Sequence, residues 1–167
     1  MSTSREETIR AFLAQAGWAG AARRPLAGDA STRRYERLSR GGHPAVLMDW
    51  PSGPDAPAAA GLAAYSGIAH LAENCRPFVA IGEHLRRLGL AAPEIYAADL
   101  DHGLLLLEDL GDHVYGALIE RGRGPSGEEL DELYRAAIET LLQLQSVTLS
   151  LSIFSSAEPG VTPGSDP

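Results

Sequence analysis

Apolar residues at helical spacing predict that the chain begins with a helix. Ser4–Glu7 has the form Ser-x-x-Glu, in which the hydroxyl and the carboxylate satisfy exposed N–H groups of a first helical turn. Gly17 is of the residue type that most often ends helices. One face between these two points is apolar, because the following residues recur three or four positions apart: Ile9, Phe12, Leu13 and Ala16.

Two pairs of short segments have the composition of strands. Thr32–Leu38 is charged and aromatic, whereas His43–Trp50 contains a run of consecutive apolar residues. Ser39–Gly42, which separates them, predicts a turn, so we expect the two strands to form an antiparallel hairpin. Glu94–Ala98 and Gly103–Leu107 are expected to form a second hairpin in the same way.

The end of the last of these segments has an abrupt change from apolar to polar residues. Four consecutive leucines are followed by Glu108, Asp109, Leu110 and Gly111. A short apolar run bounded by turn residues fits a buried strand better than a helix. We expect the strand to leave the core at Glu108 and the chain to turn at Gly111, since glycine adopts turn conformations at little cost.

The other periodic segments predict helices. Apolar residues at positions 78, 81, 85 and 88 share one helical face, which ends near Gly89. Asp112–Glu120 predicts a short helix. Ser126–Glu129 repeats the Ser-x-x-Glu pattern ahead of a strongly amphipathic segment, residues 130–144. Helices combined with antiparallel hairpins predict an α+β fold in which a helix covers the sheet.

Two segments lack such periodicity. Residues 51–72 begin with a run rich in Pro, Ala and Gly, and we expect them to form a mobile insertion. Residues 146–167 are rich in Ser, Gly and Pro and carry few charges. Such a composition buries too little apolar surface to order the backbone, so a disordered tail is expected there.

Charge and composition narrow the classes of partner. The net charge is -8, and all 14 basic residues are arginine. An acidic domain is a poor partner for nucleic acid, because phosphate contacts require concentrated positive charge. No apolar run approaches the length that crosses a bilayer, and the polar, acidic start is unlike a signal peptide. We therefore expect a cytoplasmic protein that binds neither nucleic acid nor a membrane.

Few residues offer metal or nucleophilic chemistry. Cys75 is the only cysteine, which excludes a thiolate cluster, and the five histidines lack the paired spacing of a zinc site. Arg76 beside Cys75 can lower the pKa of the thiol, but a packed, unreactive cysteine is the ordinary interpretation. Glu73 and Arg76, just ahead of a helix, are expected to form a surface ion pair. No metal site is assigned.

One loop has the composition of a phosphate-binding turn. It combines a glycine, a small residue and two hydroxyls just before a strand: Gly28, Asp29, Ala30, Ser31 and Thr32. Small residues let backbone N–H groups approach phosphates, although the loop lacks both the lysine of a Walker A motif and the spacing of GxGxxG. An ordinary β-turn, with Asp29 as a turn or capping residue, is the alternative.

Two adjacent pairs of charged residues are further candidates. Arg33 and Arg34 can add positive charge beside this loop, but neighbours on a strand face opposite ways, so at most one faces a phosphate. For the same reason Glu108 and Asp109 are not expected to form a joint acid–base or Mg²⁺ site. They are either a solvated strand end or part of a segment whose backbone recognises a ligand, and we favour the second interpretation.

These motifs, in this order, resemble the N-terminal part of the aminoglycoside phosphotransferase family, which shares the protein-kinase-like fold. The resemblance covers residues 5–145, and it is closest to bacterial anomeric kinases for N-acetylmuramate and N-acetylglucosamine. The matching segments are Leu26–Ser31, Arg33–Tyr35, Ala45–Asp49, Arg76–Val79, Gly89–Ile95 and Gly103–Gly111.

The resemblance implies a kinase-like N-terminal lobe over residues 1–111 and the first helices of a truncated C-terminal lobe over residues 112–145. It implies that Gly28–Thr32 faces the phosphates of ATP. It also implies that Glu108–Gly111 is the hinge, whose backbone groups contact the adenine ring.

Two further binding residues follow from the resemblance alone. Met48 falls where many kinases have the lysine that contacts the α- and β-phosphates, and a thioether cannot replace that charge. Glu73, with Glu83 as second choice, takes the place of the acidic residue on the helix behind the phosphates.

The family's catalytic loop has the form His-x-Asp-x-x-x-x-Asn, and a later Asp binds Mg²⁺. No histidine in the 167 residues is followed two positions later by Asp, and the segment after Gln145 departs from the family pattern, so no catalytic residue is assigned. We expect a truncated or frameshifted phosphotransferase with little or no activity and at best weak binding of ATP and Mg²⁺. The intact form would phosphorylate an amino sugar in cell-wall recycling. The alternative is a non-catalytic module that binds a nucleotide or a protein, with an exposed apolar helix at 130–144 that self-associates.

Overall fold

The structure is a computed structural model, and it describes residues 4–27, 33–51 and 74–146. The chain divides into two compact units, with the boundary between Asp109 and Leu110. The predicted loop 28–32, all but the first residue of the predicted insertion 51–72 and all but the first residue of the predicted tail 146–167 lie outside the described residues.

The described part of the first unit contains two helices and five strands. They follow in the order α1 (Arg5–Gln15), β1 (Ala22–Pro25), β2 (Arg34–Arg40), β3 (His43–Asp49), α2 (Arg76–Arg87), β4 (Ile95–Asp99) and β5 (Leu104–Leu107). The described part of the second unit contains α3 (Tyr115–Arg121) and α4 (Leu130–Ser146). The α+β class and both predicted hairpins are confirmed.

The five strands form one sheet in the order β1-β2-β3-β5-β4, in which all neighbouring strands are antiparallel. Gly41 and Gly42 join β2 to β3 with φ angles of 58° and 83°. Two positive φ angles are required by the tight turn whose twist matches that of a hairpin. This turn aligns Tyr35 with Met48 and Arg37 with Val46 across the two strands.

The edge strand β1 was not predicted from the sequence. Its four residues, Ala-Arg-Arg-Pro, lack the apolar alternation of a half-buried strand, and three of them are exposed. Arginine and proline at an edge discourage pairing with another chain. The strand is held in place by Arg23, which donates a hydrogen bond to Glu36 on β2 at 2.7 Å and another to Glu6 on α1 at 2.6 Å.

Within the described residues, one helix covers each face of the sheet. Phe12 and Leu13 of α1 pack against one face, which includes Leu104 and Leu106. The opposite face includes Leu105 and Leu107, and the following residues pack against it: Met48, Trp50, Cys75, Phe78 and Val79. The four leucines of β5 are therefore buried on both sides of the sheet, which explains a strand without polar positions.

The predicted packing face of α2 was partly wrong. Phe78 and Val79 contact the sheet, but Ile81 is 45% exposed. Successive helical residues are rotated by about 100°, so Val79 and Ile81 lie on opposite sides of Phe78 and cannot both face the sheet. The side of α2 that packs on the sheet is therefore the one that carries Phe78 and Val79.

The predicted cap of α1 is confirmed. Ser4 accepts a hydrogen bond from the backbone N–H of Glu7, and the Glu7 carboxylate accepts one from the backbone N–H of Ser4 at 2.8 Å. Hydrogen bonds from the backbone and the side chain of Ser4 lower the pKa of the Glu7 carboxyl. The next residue, Arg5, donates from Nε to Oδ1 of the buried Asp49 at 3.0 Å, which joins the start of α1 to the end of β3.

Gly103, in the turn before β5, allows two backbone segments to approach closely. Its φ is 64°, and a Cβ built on it would lie 2.0 Å from the backbone oxygen of Trp50. The Trp50 N–H donates a hydrogen bond to the carbonyl oxygen of Gly103 at 2.8 Å. No side chain fits between these segments, so the position requires glycine.

In the second unit, the second predicted capping box is wrong. The helix α4 begins at Leu130, four residues after Ser126, and the backbone N–H of Glu129 donates to the Glu132 carboxylate at 3.3 Å. Ser126 instead donates its backbone N–H to Glu128 at 2.9 Å. The pair at the start of α4 is therefore Glu129 and Glu132. The Glu132 carboxylate accepts the backbone hydrogen bond that the sequence assigned to Glu129.

The apolar face of α4 is exposed in the second unit. Five of its large apolar residues are between 36% and 59% exposed: Tyr134, Ile138, Leu141, Leu142 and Leu144. None of the helices in the described ranges has the length and apolar character needed to cross a bilayer.

Candidate functional site

Six of the predicted site residues lie outside the described residues. These are the five loop residues Gly28–Thr32 and the acidic candidate Glu73. The second choice for the acidic position, Glu83, is exposed on α2. The described part of the predicted site therefore consists of Met48 and Glu108–Gly111.

Met48 is fully buried on the face of the sheet that α2 covers. Its side chain packs with Trp50, Cys75, Leu105 and Leu107. A lysine at this position would place an ammonium group in an apolar cluster, where an unpaired charge is strongly destabilised. The thioether is thus suited to core packing, and the described residues show it in no other role.

The sheet register separates the two arginines that follow the predicted loop. Arg34 pairs with Asp49, whereas the next residue, Tyr35, pairs with Met48 and packs on the α2 face. By alternation, Arg33 lies on the Met48 side, and its guanidinium sits 5.1 Å from the ring centroid of Trp50. Of the two arginines, only Arg33 shares a face of the sheet with Met48, because neighbouring residues of a strand point to opposite faces.

Glu108 is tied to the residue that precedes β4. Its backbone N–H donates to the carbonyl oxygen of Glu94 at 2.8 Å, and its carboxylate accepts the Glu94 N–H at 3.0 Å. Arg86 of α2 lies 4.0 Å from the same carboxylate and donates to the carbonyl oxygen of Ala92 at 3.0 Å. The N–H group of Glu108 is therefore engaged within the sheet.

Asp109 turns the other way and forms an ion pair with Arg37 of β2. The Arg37 Nε lies 2.6 Å from Oδ2, and Nη2 donates a hydrogen bond to Oδ1 at 3.1 Å. The Asp109 side chain is 6% exposed and that of Arg37 is 18% exposed. The expected divergence of Glu108 and Asp109 is confirmed, and Asp109 is not a solvated strand end.

Leu110 and Gly111 begin the second unit. The Leu110 side chain is 60% exposed, and Gly111 has a φ of 78°, so the chain turns where the sequence predicts it. A left-handed backbone favours glycine, because other residues lose energy there. The segment Glu108–Gly111 thus joins a pinned strand end to a turn.

The start of α2 carries no reactive group. Burial raises the pKa of the Cys75 thiol, despite the nearby Arg76. Arg76 donates a hydrogen bond to Asp101 at 2.8 Å, and its predicted partner Glu73 lies outside the described residues. The described residues contain no group of three or more His, Cys, Asp or Glu side chains that could hold a metal ion.

Sequence reasoning missed Arg37 and Arg86, the two residues that brace the segment after β5. Arg37 is 72 positions from Asp109, so no local pattern connects them. The available signal was the position of Arg37, two residues after Tyr35 and therefore on the same side of β2. Tyr35 packs against the core of the sheet. A charge on a buried face requires a partner.

Comparison with known proteins identifies the family. The model of the phosphotransferase enzyme family (APH) matches residues 22–160, which is most of the chain. The chain belongs to this family. The match continues past Gln145 to residue 160, so the predicted departure from the family pattern directly after Gln145 is wrong. The antiparallel sheet with a helix on each face is the N-terminal lobe of this kinase-like fold.

Three curated relatives share the name N-acetylmuramate/N-acetylglucosamine kinase. The protein from Caulobacter vibrioides is 41% identical over 155 residues, which is 87% of this chain and 41% of the relative. The protein from Pseudomonas putida is 37% identical over 72% of this chain and 29% of its own length. That from Pseudomonas aeruginosa is 34% identical over 75% and 30%. This member of the phosphotransferase family therefore spans less than half the length of these relatives.

Proposed function

We propose that the chain supplies the ATP-binding lobe of an amino-sugar kinase. The observation that carries this proposal is the 41% identity, over 87% of the chain, to a relative named N-acetylmuramate/N-acetylglucosamine kinase. The intact enzyme would transfer the γ-phosphoryl group of ATP, with Mg²⁺, to a sugar hydroxyl in cell-wall recycling. Its place would be the cytoplasm, where ATP is available.

In this proposal the adenine ring contacts the backbone of Glu108–Gly111. The N–H of Glu108 is engaged with Glu94, so the acceptor for the base is the Glu108 carbonyl and the donor comes from a later residue. Gly28–Thr32 and Arg33 take the phosphates, with Arg33 on the same side of the sheet as Met48. Met48 supports the site through packing, and Glu73 remains the proposed acidic residue.

We further propose that the 167 residues alone bind ATP weakly and do not transfer phosphate. Phosphoryl transfer depends on positioning the hydroxyl and on ligands for Mg²⁺, and the 167 residues contain no His-x-Asp sequence. The test incubates the purified chain with ATP, Mg²⁺ and either N-acetylmuramate or N-acetylglucosamine and measures sugar phosphate. We expect none above the rate without protein; ATP-dependent formation of sugar phosphate would contradict the proposal.

The nucleotide site is tested separately by NMR. We expect millimolar ATP to shift the amide signals of Glu108–Gly111, while GTP, whose base presents a different edge, shifts them less. If the amide signals of Glu108–Gly111 stay unchanged at the highest soluble concentration of ATP, the proposed site is excluded.

A second function, protein binding, is favoured by the exposed apolar face of α4. An exposed apolar stripe is formed by Tyr134, Ile138, Leu141 and Leu142, and contiguous exposed apolar surface often marks an interaction site. We propose that this face self-associates in the isolated chain. Light scattering should give a defined oligomer that dissociates on Leu141→Glu and persists on Glu139→Gln, a change on the same helix outside the stripe. A monomeric unmodified chain would refute this second function.

A further inference from the structure

We propose that Arg37 is a positioning residue for nucleotide binding, which holds the backbone of the hinge through Asp109. The inference rests on the proposed ATP site at Glu108–Gly111 and extends it to a residue on another strand. Arg37 need not touch the nucleotide. Its role is to fix the peptide group between Glu108 and Asp109, from which the base-contacting segment continues.

The sheet register explains why an arginine on β2 reaches this segment. Arg37 is aligned with Val46 on β3, and Val46 is aligned with Leu107 on β5. Directly paired residues share a face of the sheet, so Arg37 and Leu107 lie on the same face, two strand spacings or about 10 Å apart. Asp109 follows Leu107 by two residues and meets the guanidinium there.

The hinge is thereby anchored on two sides. Glu108 is bonded to Glu94 through both its N–H group and its carboxylate, on the β4 side. Asp109 is held by Arg37 on the β2 side, through the hydrogen bond from Nη2 and the ion-pair contact of Nε, which is close but lacks hydrogen-bond geometry. Two opposed anchors on consecutive residues leave the connecting peptide little freedom, and preorganised groups bind a ligand with less loss of entropy.

The burial of this pair separates it from ordinary surface ion pairs. The Asp109 side chain is 6% exposed, whereas Arg76 and Asp101, which also form an ion pair, are 54% and 85% exposed. An exposed pair contributes little to stability or orientation. A planar guanidinium held by two points on a buried carboxylate fixes direction as well as distance, which one lysine nitrogen does not.

The test compares four forms of the full chain: unmodified, Arg37→Met, Asp109→Leu and the double variant. ATP affinity is measured from the amide shifts of Glu108–Gly111, affinity for inorganic tripolyphosphate from any shifted amide, and stability by urea unfolding. Arg76→Met serves as the matched control, because it removes an arginine from an exposed ion pair. We expect it to bind both probes as the unmodified chain does.

Each single variant should lose stability and bind ATP about tenfold more weakly, since a buried charge loses its partner and the hinge loses an anchor. The double variant should regain stability, because no unpaired charge remains, yet still bind ATP about tenfold more weakly. Tripolyphosphate binding should stay within about twofold in every form, as the hinge contacts only the base.

Recovery of ATP affinity together with stability in the double variant would overturn the inference, because it would show a purely structural pair. Equal loss of ATP and tripolyphosphate binding would overturn it as well. Arg37→Lys provides a milder variant that keeps the charge and should show a partial loss for ATP alone; unchanged ATP affinity there contradicts a role for the two-point contact. Failure of the unmodified chain to respond to ATP would instead refute the proposed function, and the inference with it.

Discussion

Replacement of Gly103 by alanine should destabilise the first unit far more than the same change at a glycine in open space. The new Cβ would lie 2.0 Å from the Trp50 oxygen and 2.9 Å from the Trp50 carbonyl carbon. Both atoms are backbone, so no side-chain rotation relieves the contact. Gly41 is the matched control, since its φ of 58° is close to the 64° of Gly103 and nothing lies within 4 Å of its Cβ position.

The expected magnitudes follow from two separate costs. A left-handed backbone costs a residue other than glycine about 1–2 kcal/mol, and Gly41→Ala should lose only that amount. Gly103→Ala adds an overpacking cost of about 1–3 kcal/mol, because β5 or the Trp50 segment must move. Movement also stretches the hydrogen bond from the Trp50 N–H to Gly103, which is 2.8 Å long.

Urea unfolding followed by tryptophan fluorescence measures this difference. The chain has two tryptophans, Trp18 and Trp50, and both lie in the first unit, so the signal reports on that unit alone. We expect the free energy of unfolding to fall by about 2–5 kcal/mol for Gly103→Ala, the sum of the two costs. An equal loss for the two variants would show that the close approach to Trp50 does not restrict this position.

Three further predictions concern charged and buried groups of the same unit. Arg5→Met leaves the carboxylate of Asp49 buried without its partner and should lower the free energy of unfolding in urea by about 2–3 kcal/mol; no change would mean that Asp49 is solvated. Burial opposes ionisation of Asp99, but hydrogen bonds from His102 outweigh it and lower the Asp99 pKa. A lowered carboxyl pKa gives stability that is present above the unfolded value of about 3.9 and is lost as the pH falls through the folded value. Asp99→Asn should therefore lower the free energy of unfolding at neutral pH but not at a pH below the folded Asp99 pKa. A loss that does not depend on pH would contradict this reasoning. Cys75 should react slowly with an aromatic disulfide reagent in the folded chain and rapidly in urea, because burial raises the thiol pKa and blocks access; fast reaction without urea would exclude that environment.

Most local elements of the first unit could be predicted from the sequence. The first helix, the two hairpins and α2 each leave a local signal, which is a capping pair, a turn or an apolar period. The strand β1 has no such signal, because Arg23 and Arg24 face solvent or ion-pair partners and only pairing with β2 makes the segment extended. The predicted cap of α4 was wrong because the Ser126 N–H bonds to Glu128 and the N–H group of Glu129, directly before the helix, bonds to Glu132.

The candidate site was less accessible to sequence reasoning. Local composition places a strand end and a turn at Glu108–Gly111, and the structure agrees. The bracing of that segment depends on Arg37, which reaches it only through the register of two strand pairs. Register depends on the pairing of strands across the sheet. The sequence around Arg37 and the sequence around Asp109, 72 positions later, therefore contain no local pattern that predicts their contact.

The run of leucines in β5 has one more consequence, which concerns strand alignment. In most strands a slip by one residue exchanges buried and exposed side chains, and this penalty fixes the alignment. In β5 every position is leucine and both faces are buried, so a slipped strand would present the same side chains to both helices. Alignment must then be determined at the two ends, by Gly103 against Trp50 and by the anchors of Glu108 and Asp109. The contacts that hold the hinge thus also set the register of β5. Loss of the contacts at both ends should yield a sheet that is well packed but has a shifted register.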